Sequence, residues 1–194
     1  MTEIILASTS KYRQKLMHDA GFHVSVMRPD YEEIPVPGRH PFEQIAAFAL
    51  GKAQSVSERR PDAIVIGSDQ GLVDGDSLVG KPGTVDAACD QLMRLRGKTV
   101  ILATSLVVIY AGKVQSHQDR AELHFRADMS DDAIRRYVEA DLPLDCAGSF
   151  KIESRGSRLF ESLKCSDPTA IQGLPMMKLN EMLIAALPDL DLLY

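Results

Sequence analysis

Two hydrophobic periods alternate along this chain, and the points where one gives way to the other mark out strands and helices. "EIILAS" near the start is a short buried run; "TSKYRQKLMHDAG" then takes up the helical period, with Ser10 as N-cap, Leu16 and Met17 on an inner face and Gly21 as the stop. "HVSVMRP" alternates as a strand does. "PFEQIAAFALGKAQSVSERR" predicts a long amphipathic helix with Ile45, Phe48, Ala49 and Ala53 inward and Lys52 on a neighbouring face. "AIVIGSD" reads as a second buried strand running into "LVDGDSLVG", where Asp74 and Gly75 carry a hairpin signal. "TVDAACDQLMRLRG" predicts a helix closing on Gly97, and "TVILATSLVVIYAGKVQSHQDRAELHFRA" a strand-rich stretch that turns at "AG" or "GK". "SDDAIRRYVEA" adds a helix capped by Ser130, and "GLPMMKLNEMLIAAL" a last helix with an apolar face. This order predicts an α/β fold, a mixed sheet covered by helices, without internal repeats.

Composition narrows the class. With 194 residues, 45% apolar and 25% charged, the chain can bury a sizeable core as one compact domain or as two lobes around a cleft. Nowhere do eighteen apolar residues stand together, so no membrane span is expected. Cys89, Cys146 and Cys165 are odd in number and lack C-x-x-C spacing, which points to a reducing, cytoplasmic setting without a zinc site. A net charge of −5 gives no general pull toward nucleic acid or anionic membrane. The expected partner is a small molecule, and any phosphate site must be a local cluster of cations.

"GDSLVGKP", residues 75–82, comes within one residue of the phosphate loop G-x-x-x-x-G-K-[ST]. A working loop needs a buried strand before its first glycine, a helix starting at its lysine and a hydroxyl for magnesium. Here a turn precedes Gly75, and Pro82 supplies neither a backbone donor nor a hydroxyl. The P-loop reading, and with it a kinase, is rejected. What survives is Lys81 between Gly80 and Pro82, at a hairpin exit from which an ammonium could reach a phosphate.

Other residues could join it. Ser8 and Ser10 lie where a strand turns into a helix, so hydroxyls and free N–H groups converge on a ready anion site, and Arg13 adds a fork of donors one turn on. Helix capping is the commoner job of such serines. With Lys52 and Lys81, three cations would face a triphosphate. Asp69, read as standing at the carboxyl end of a buried strand, could activate water, hold a divalent ion or merely cap the next turn. His18, His23, His40, His117 and His124 show no metal-ligand spacing and receive no role. A bound metal would therefore be magnesium or manganese on oxygen.

Four separated pieces, "ILASTSKYRQKL", "GKAQS" with Lys52, "IGSDQ" with Asp69 and "GKPGTVDAACDQL" with Lys81, together resemble the Maf family. "LRGK", "HFRADMSDDAIRRYV", "CAGSFKIE" and "GLPMMKL" extend the likeness in the expected order over nearly the whole chain. The resemblance implies a nucleoside triphosphate pyrophosphatase, which hydrolyses the bond between the α- and β-phosphates. It also implies one domain over residues 1–194, with a cleft between two lobes and a fold similar to the inosine triphosphatases. By the same resemblance Asp69 is the proton acceptor, and Glu33 in "DYEEIP" matches an acidic position that helps hold metal or substrate, although Glu32 replaces a more usual Asp. A homodimer is compatible with it.

Within the family, "ST" followed by Tyr12, "SDQ" and "CAGSFKIE" look most like the subgroup acting on 7-methyl-GTP, and mark Tyr12, Gln70 and Glu153 as specificity positions. The wider family has Ser-Pro-Arg-Arg where this chain has Ser-Lys-Tyr-Arg, so the turn loses a proline and gains an aromatic. N7-methylation makes guanine cationic, and a cation over an aromatic face gains ~0.5–2 kcal/mol. Glu153 would favour a positive base, and Gln70 can both donate and accept. The alternatives are a pyrophosphatase of broader range, on dTTP, UTP or modified nucleotides, and a nucleotide-sensing regulator of cell division without turnover.

Overall fold

The computed structural model describes residues 2–187. Its elements run β1 (Ile4–Ala7), α1 (Lys11–Asp19), β2 (Ser25–Val26), α2 (Pro41–Ser57), β3 (Ile64–Asp74), β4 (Ser77–Val79), α3 (Val85–Leu95), β5 (Thr99–Tyr110), β6 (Lys113–Phe125), α4 (Asp131–Asp141), β7 (Phe160–Lys164) and α5 (Met176–Ala186). Short 3-10 helices span Arg155–Leu159 and Pro168–Gln172. The strands form a mixed sheet in the order β2-β1-β3-β5-β6-β7, with β4 beside β3. β1 pairs parallel with both β2 and β3, and β4 pairs antiparallel with β3. By contact the chain divides into two compact units.

Among the described residues, the first unit takes those up to Asp69, Thr104–Asp119 and those from Asp167 to 187. Its central strand segments, β1, the start of β3 and the end of β5, are apolar on both faces, as strands covered on both sides are. Leu6, Ile64, Ile66, Leu106 and Val108 pack on one face against Met17 of α1 and Met176, Leu179, Met182 and Leu183 of α5. Ile5, Ala7, Val65, Val107 and Ile109 pack on the other against Ala49, Ala53 and Val56 of α2. Helix and strand come closest at Gly67, where a Cβ would stand 2.6 Å from the Ala49 carbonyl oxygen and 2.7 Å from the Ala53 Cβ.

The second unit comprises Gln70–Ala103 and Arg120–Ser166. Thr84 and Ser130 cap α3 and α4 by accepting from the Ala87 and Ala133 N–H groups, each at 3.2 Å. Phe125, Phe150 and Phe160 form an aromatic cluster with ring centroids 4.6–6.3 Å apart. Near it the buried Asp141 carboxylate accepts from the Arg155 guanidinium at 2.7 Å and the Arg155 N–H at 2.9 Å. Burial pushes the Asp141 pKa up, but the bonds from Arg155 and Ser154 outweigh it and hold the carboxyl below its ordinary value.

Most expected elements are present, and "AG" is the turn between β5 and β6: Ala111 and Gly112 have φ of 48° and 72°, the left-handed pair such a turn needs. Four details differ. The two apolar runs "AIVIGSD" and "LVD" fuse into one eleven-residue β3, so Asp69 stands in mid-strand rather than at a strand end. "HVSVMRP" yields only the two-residue β2. α2 stops at Ser57, before the arginine pair. β7, in "FESLK", was not anticipated; it is a short, largely exposed edge strand without the apolar period that marks a core strand.

Two outcomes follow. Gly67→Ala forces α2 away from β3 and should destabilise the protein by at least ~1–3 kcal/mol, read as a lower urea midpoint. Because the folded pKa of Asp141 is depressed, its contribution is present above the ordinary value and is lost as pH falls through the folded one. Asp141→Asn should therefore lose about 1–2 kcal/mol at pH 7, with the gap to the parent protein closing below about pH 4 in thermal melts.

Candidate active site

The chain leaves β1 in a tight turn, with the Ser8 N–H donating to the Leu6 carbonyl at 2.9 Å. The buried Ser8 hydroxyl oxygen accepts from the Ser10 N–H at 3.2 Å and from Arg13 Nη1 at 3.3 Å, and the Ser10 hydroxyl caps α1. Capping and the seating of a cation thus share one corner: Ser10 caps the helix, and Ser8 beside it orients the guanidinium. Arg13 is fixed further by its Nε–H, which donates to the Gly173 carbonyl at 2.8 Å; the Ser68 hydroxyl donates to that same carbonyl at 2.8 Å. Gly173 has φ 101°, and a Cβ there would lie 3.1 Å from Arg13 Nε. Ser68 and Gly173 were not singled out from the sequence. "GLP" was visible, but nothing local shows that its carbonyl faces a helix 160 residues away.

Asp69 follows Gly67 by two residues and so shares its face of β3. On α2, Lys52 lies three residues after Ala49 and one before Ala53, beside the stripe that meets Gly67. Its ammonium donates to Asp69 Oδ1 at 2.6 Å and pairs with Glu33 Oε1 at 2.5 Å. The Lys52 and Asp69 side chains are only 12% and 11% exposed, against 43% for Glu33. Burial raises the Asp69 pKa; Lys52 and Arg13 pull the other way and Glu33 adds to the rise, leaving the carboxyl above its ordinary value. Burial likewise lowers the Arg13 pKa, opposed by Asp69 and Glu33.

Six expected residues, Ser8, Ser10, Arg13, Glu33, Lys52 and Asp69, therefore belong to the first unit. Of these, Ser8, Ser10 and Arg13 are linked by hydrogen bonds, and Glu33, Lys52 and Asp69 by ion pairs. Tyr12, half-buried in the first turn of α1, is in the same unit. Gln70, Lys81 and Glu153 belong to the second. There Lys81 is exposed between β4 and α3, and the preceding Gly80 carbonyl accepts from Gln91 at 2.8 Å. Gln91 in turn accepts from the Ser149 hydroxyl at 2.6 Å, which ties that segment to the buried part of its unit. Glu153 is exposed just before the 3-10 helix at Arg155–Leu159. Gly75 occupies the β3–β4 turn and α3 starts only at Val85, so no helix begins at Lys81 as a phosphate loop requires.

No group of three or more His, Cys, Asp or Glu side chains converges among the described residues. Glu33 and Asp69 do converge through Lys52, and two carboxylates completed by substrate phosphates are a donor set that suits magnesium or manganese. The three thiols are unbridged, and no described helix is long and apolar enough to cross a membrane.

A 7-methyl-GTP pyrophosphatase of Aromatoleum aromaticum is 45% identical over 186 residues, covering 95% of each chain. Proteins of the same name from Alkalilimnicola ehrlichii and Vibrio cholerae are 41% and 39% identical, covering 94% and 93% of this chain and 92% and 94% of their own. The Staphylococcus aureus Ham1 protein superposes with a TM-score of 0.54 over 95% of this chain and 99% of its own, at 13% identity, a likeness of fold. The Maf-like protein family matches residues 3–186, which takes in every site residue discussed, and the chain belongs to that family.

Proposed function

We propose that this protein is a pyrophosphatase that hydrolyses 7-methyl-GTP to 7-methyl-GMP and pyrophosphate. The observation that carries this reading is the buried Asp69 carboxylate held at 2.6 Å by the Lys52 ammonium, itself shared with Glu33, in a chain 45% identical to a protein of that name. Water attacks the α-phosphorus, the bond from that phosphorus to the bridging oxygen breaks, and the electron pair leaves with pyrophosphate. Asp69 takes the proton from water. A carboxylate with a raised pKa is a stronger base than an exposed one, and its position is fixed by Lys52 before substrate arrives.

Charge balance constrains the rest. Arg13 and Lys52 carry two positive charges against two carboxylates, Glu33 and Asp69, so this cluster is neutral as it stands. A triphosphate brings about four negative charges and needs further cations. Lys81 supplies one. A bound magnesium or manganese ion, held by Glu33 and, in the alternative to its role as proton acceptor, by Asp69, would neutralise the phosphates and polarise the α-phosphoryl oxygens. Gly173 and Ser8 engage Arg13 through Nε and Nη1, and since a guanidinium has five N–H donors the fork retains some for phosphate oxygens. The Ser8 and Ser10 corner adds hydroxyl and backbone donors at the start of α1. Tyr12 offers its ring to the cationic base; the family resemblance gives the polar contacts to Gln70 and Glu153.

A panel of 7-methyl-GTP, GTP, dTTP and UTP with magnesium or manganese, products resolved, should show 7-methyl-GTP cleaved fastest to the monophosphate and pyrophosphate. Equal rates across the panel would end the substrate claim, and binding without product would end the catalytic one. In the same assay Asp69→Asn should lose at least ~100-fold in turnover, the lower range for removal of a general base. Tyr12→Ala should lower the preference for 7-methyl-GTP over GTP by roughly 2- to 30-fold, the value of a cation over an aromatic face. An unchanged ratio removes Tyr12 from base selection.

A further inference from the structure

Glu33 stands on a segment without helix or strand of its own, between β2 and α2, and yet it meets Lys52 at 2.5 Å. Its neighbours explain how. Residues 28–36 run back along α2 as a strap tied at both ends. At one end Arg59, just past the helix, donates to the Arg28 carbonyl at 2.9 Å; at the other the Val36 N–H donates to Oε1 of the buried Gln44 at 2.7 Å. Between these ties the Tyr31 ring lies over Gly51 and meets the Phe48 ring edge-on, with centroids 6.4 Å apart. A Cβ on Gly51 would fall inside that ring, with Tyr31 Cδ2, Cζ and Cε2 all within 2.7 Å.

We propose that the missing side chain of Gly51 is a notch that seats Tyr31 and thereby sets the register in which Glu33 reaches Lys52. Gly51 and Tyr31 are positioning residues; this rests on the working role given to Glu33 above. Phe48, Gly51 and Lys52 are spaced i, i+3 and i+4 on one helix face, and Glu33 follows Tyr31 by two residues at the centre of a tight turn closed by the Ile34 N–H donating to the Glu32 carbonyl at 3.0 Å. The ring in the notch and the carboxylate on the ammonium are thus matched steps of the same alignment. Glycine inside a helix is otherwise a defect of about 1 kcal/mol relative to alanine, so its presence beside Lys52 has a compensating use. The end ties alone hold the strap down, but they do not fix where along α2 its middle sits.

Gly51→Ala should raise or preserve the melting temperature while lowering kcat/KM roughly 10- to 100-fold, the effect of misplacing a working group by about an ångström. Combined with Glu33→Gln it should do no further harm, since both changes remove the same contact. Tyr31→Ala should repeat the loss, and Tyr31→Phe, which keeps the ring, should restore activity. The chain has no tryptophan, so Tyr31→Trp gives a reporter whose iodide quenching should increase when Gly51→Ala is added. Normal kcat/KM in Gly51→Ala alongside an impaired Glu33→Gln, additive losses in the double variant, or unchanged quenching would each overturn the notch. Full activity in Glu33→Gln would overturn the role of Glu33 first and the proposal with it, whereas loss of the whole pyrophosphatase reading would show in the substrate panel instead.

Discussion

The close approach of α2 to β3 at Gly67 is the constraint on which the site depends. A side chain there would collide with the Ala49 carbonyl and the Ala53 methyl, so only glycine lets helix and strand meet at this depth. The seam continues in small residues, with Ala7 of β1 paired to Gly67 in register and packed on the same α2 face. One strand period beyond Gly67 stands Asp69, and on α2, beside the stripe of Ala49 and Ala53, stands Lys52. Their bond of 2.6 Å follows from backbone proximity and matched periods. A longer side chain at position 67 would move the ammonium as well as the core.

That approach also settles how the charges balance. A buried carboxylate alone is held protonated, and a buried ammonium alone loses its proton. Together at 2.6 Å they moderate one another, yet burial still wins at Asp69, whose pKa remains above the ordinary aspartate value. Such an arrangement is poor for stability, because an ion pair removed from water gains little over an apolar contact of similar volume. It is well suited to a proton acceptor. The tether of Arg13 to Ser8 and Gly173 follows the same logic: two of its donors fix the guanidinium in one orientation and leave the others unspent by those two bonds.

How much of this was legible in the sequence depended on how local the cause was. Ser10 and Ser130 cap helices because each precedes a helical period, a signal contained in a few residues. The Asp74–Gly75 turn and the "AG" turn were equally local, as was the failure of "GDSLVGKP" to be a phosphate loop. The mid-strand position of Asp69 was not, because the polar "GSDQG" looks like a strand end until β4 is seen to prolong β3. The contacts of Glu33 with Lys52 and of Arg13 with Gly173 join residues 19 and 160 positions apart, and no period or composition encodes them. Resemblance to the family pointed to Glu33, Lys52 and Asp69, but it gave no reason why they meet.

Both missing side chains, at Gly67 and Gly51, act on the same two turns of α2. One admits the helix to the sheet on the side of Ala49 and Ala53; the other admits Tyr31 on the side of Phe48. Lys52 lies between these contact lines. Its ammonium is therefore approached by Asp69 from the sheet and Glu33 from the strap, each carried by an element whose seating depends on a glycine. Side-chain flexibility alone would let a lysine choose either partner and wander. Seating both carboxylates against glycines of strand and helix removes that freedom at its source, and it gives a reason why a helix so central to the core tolerates glycine beside Lys52.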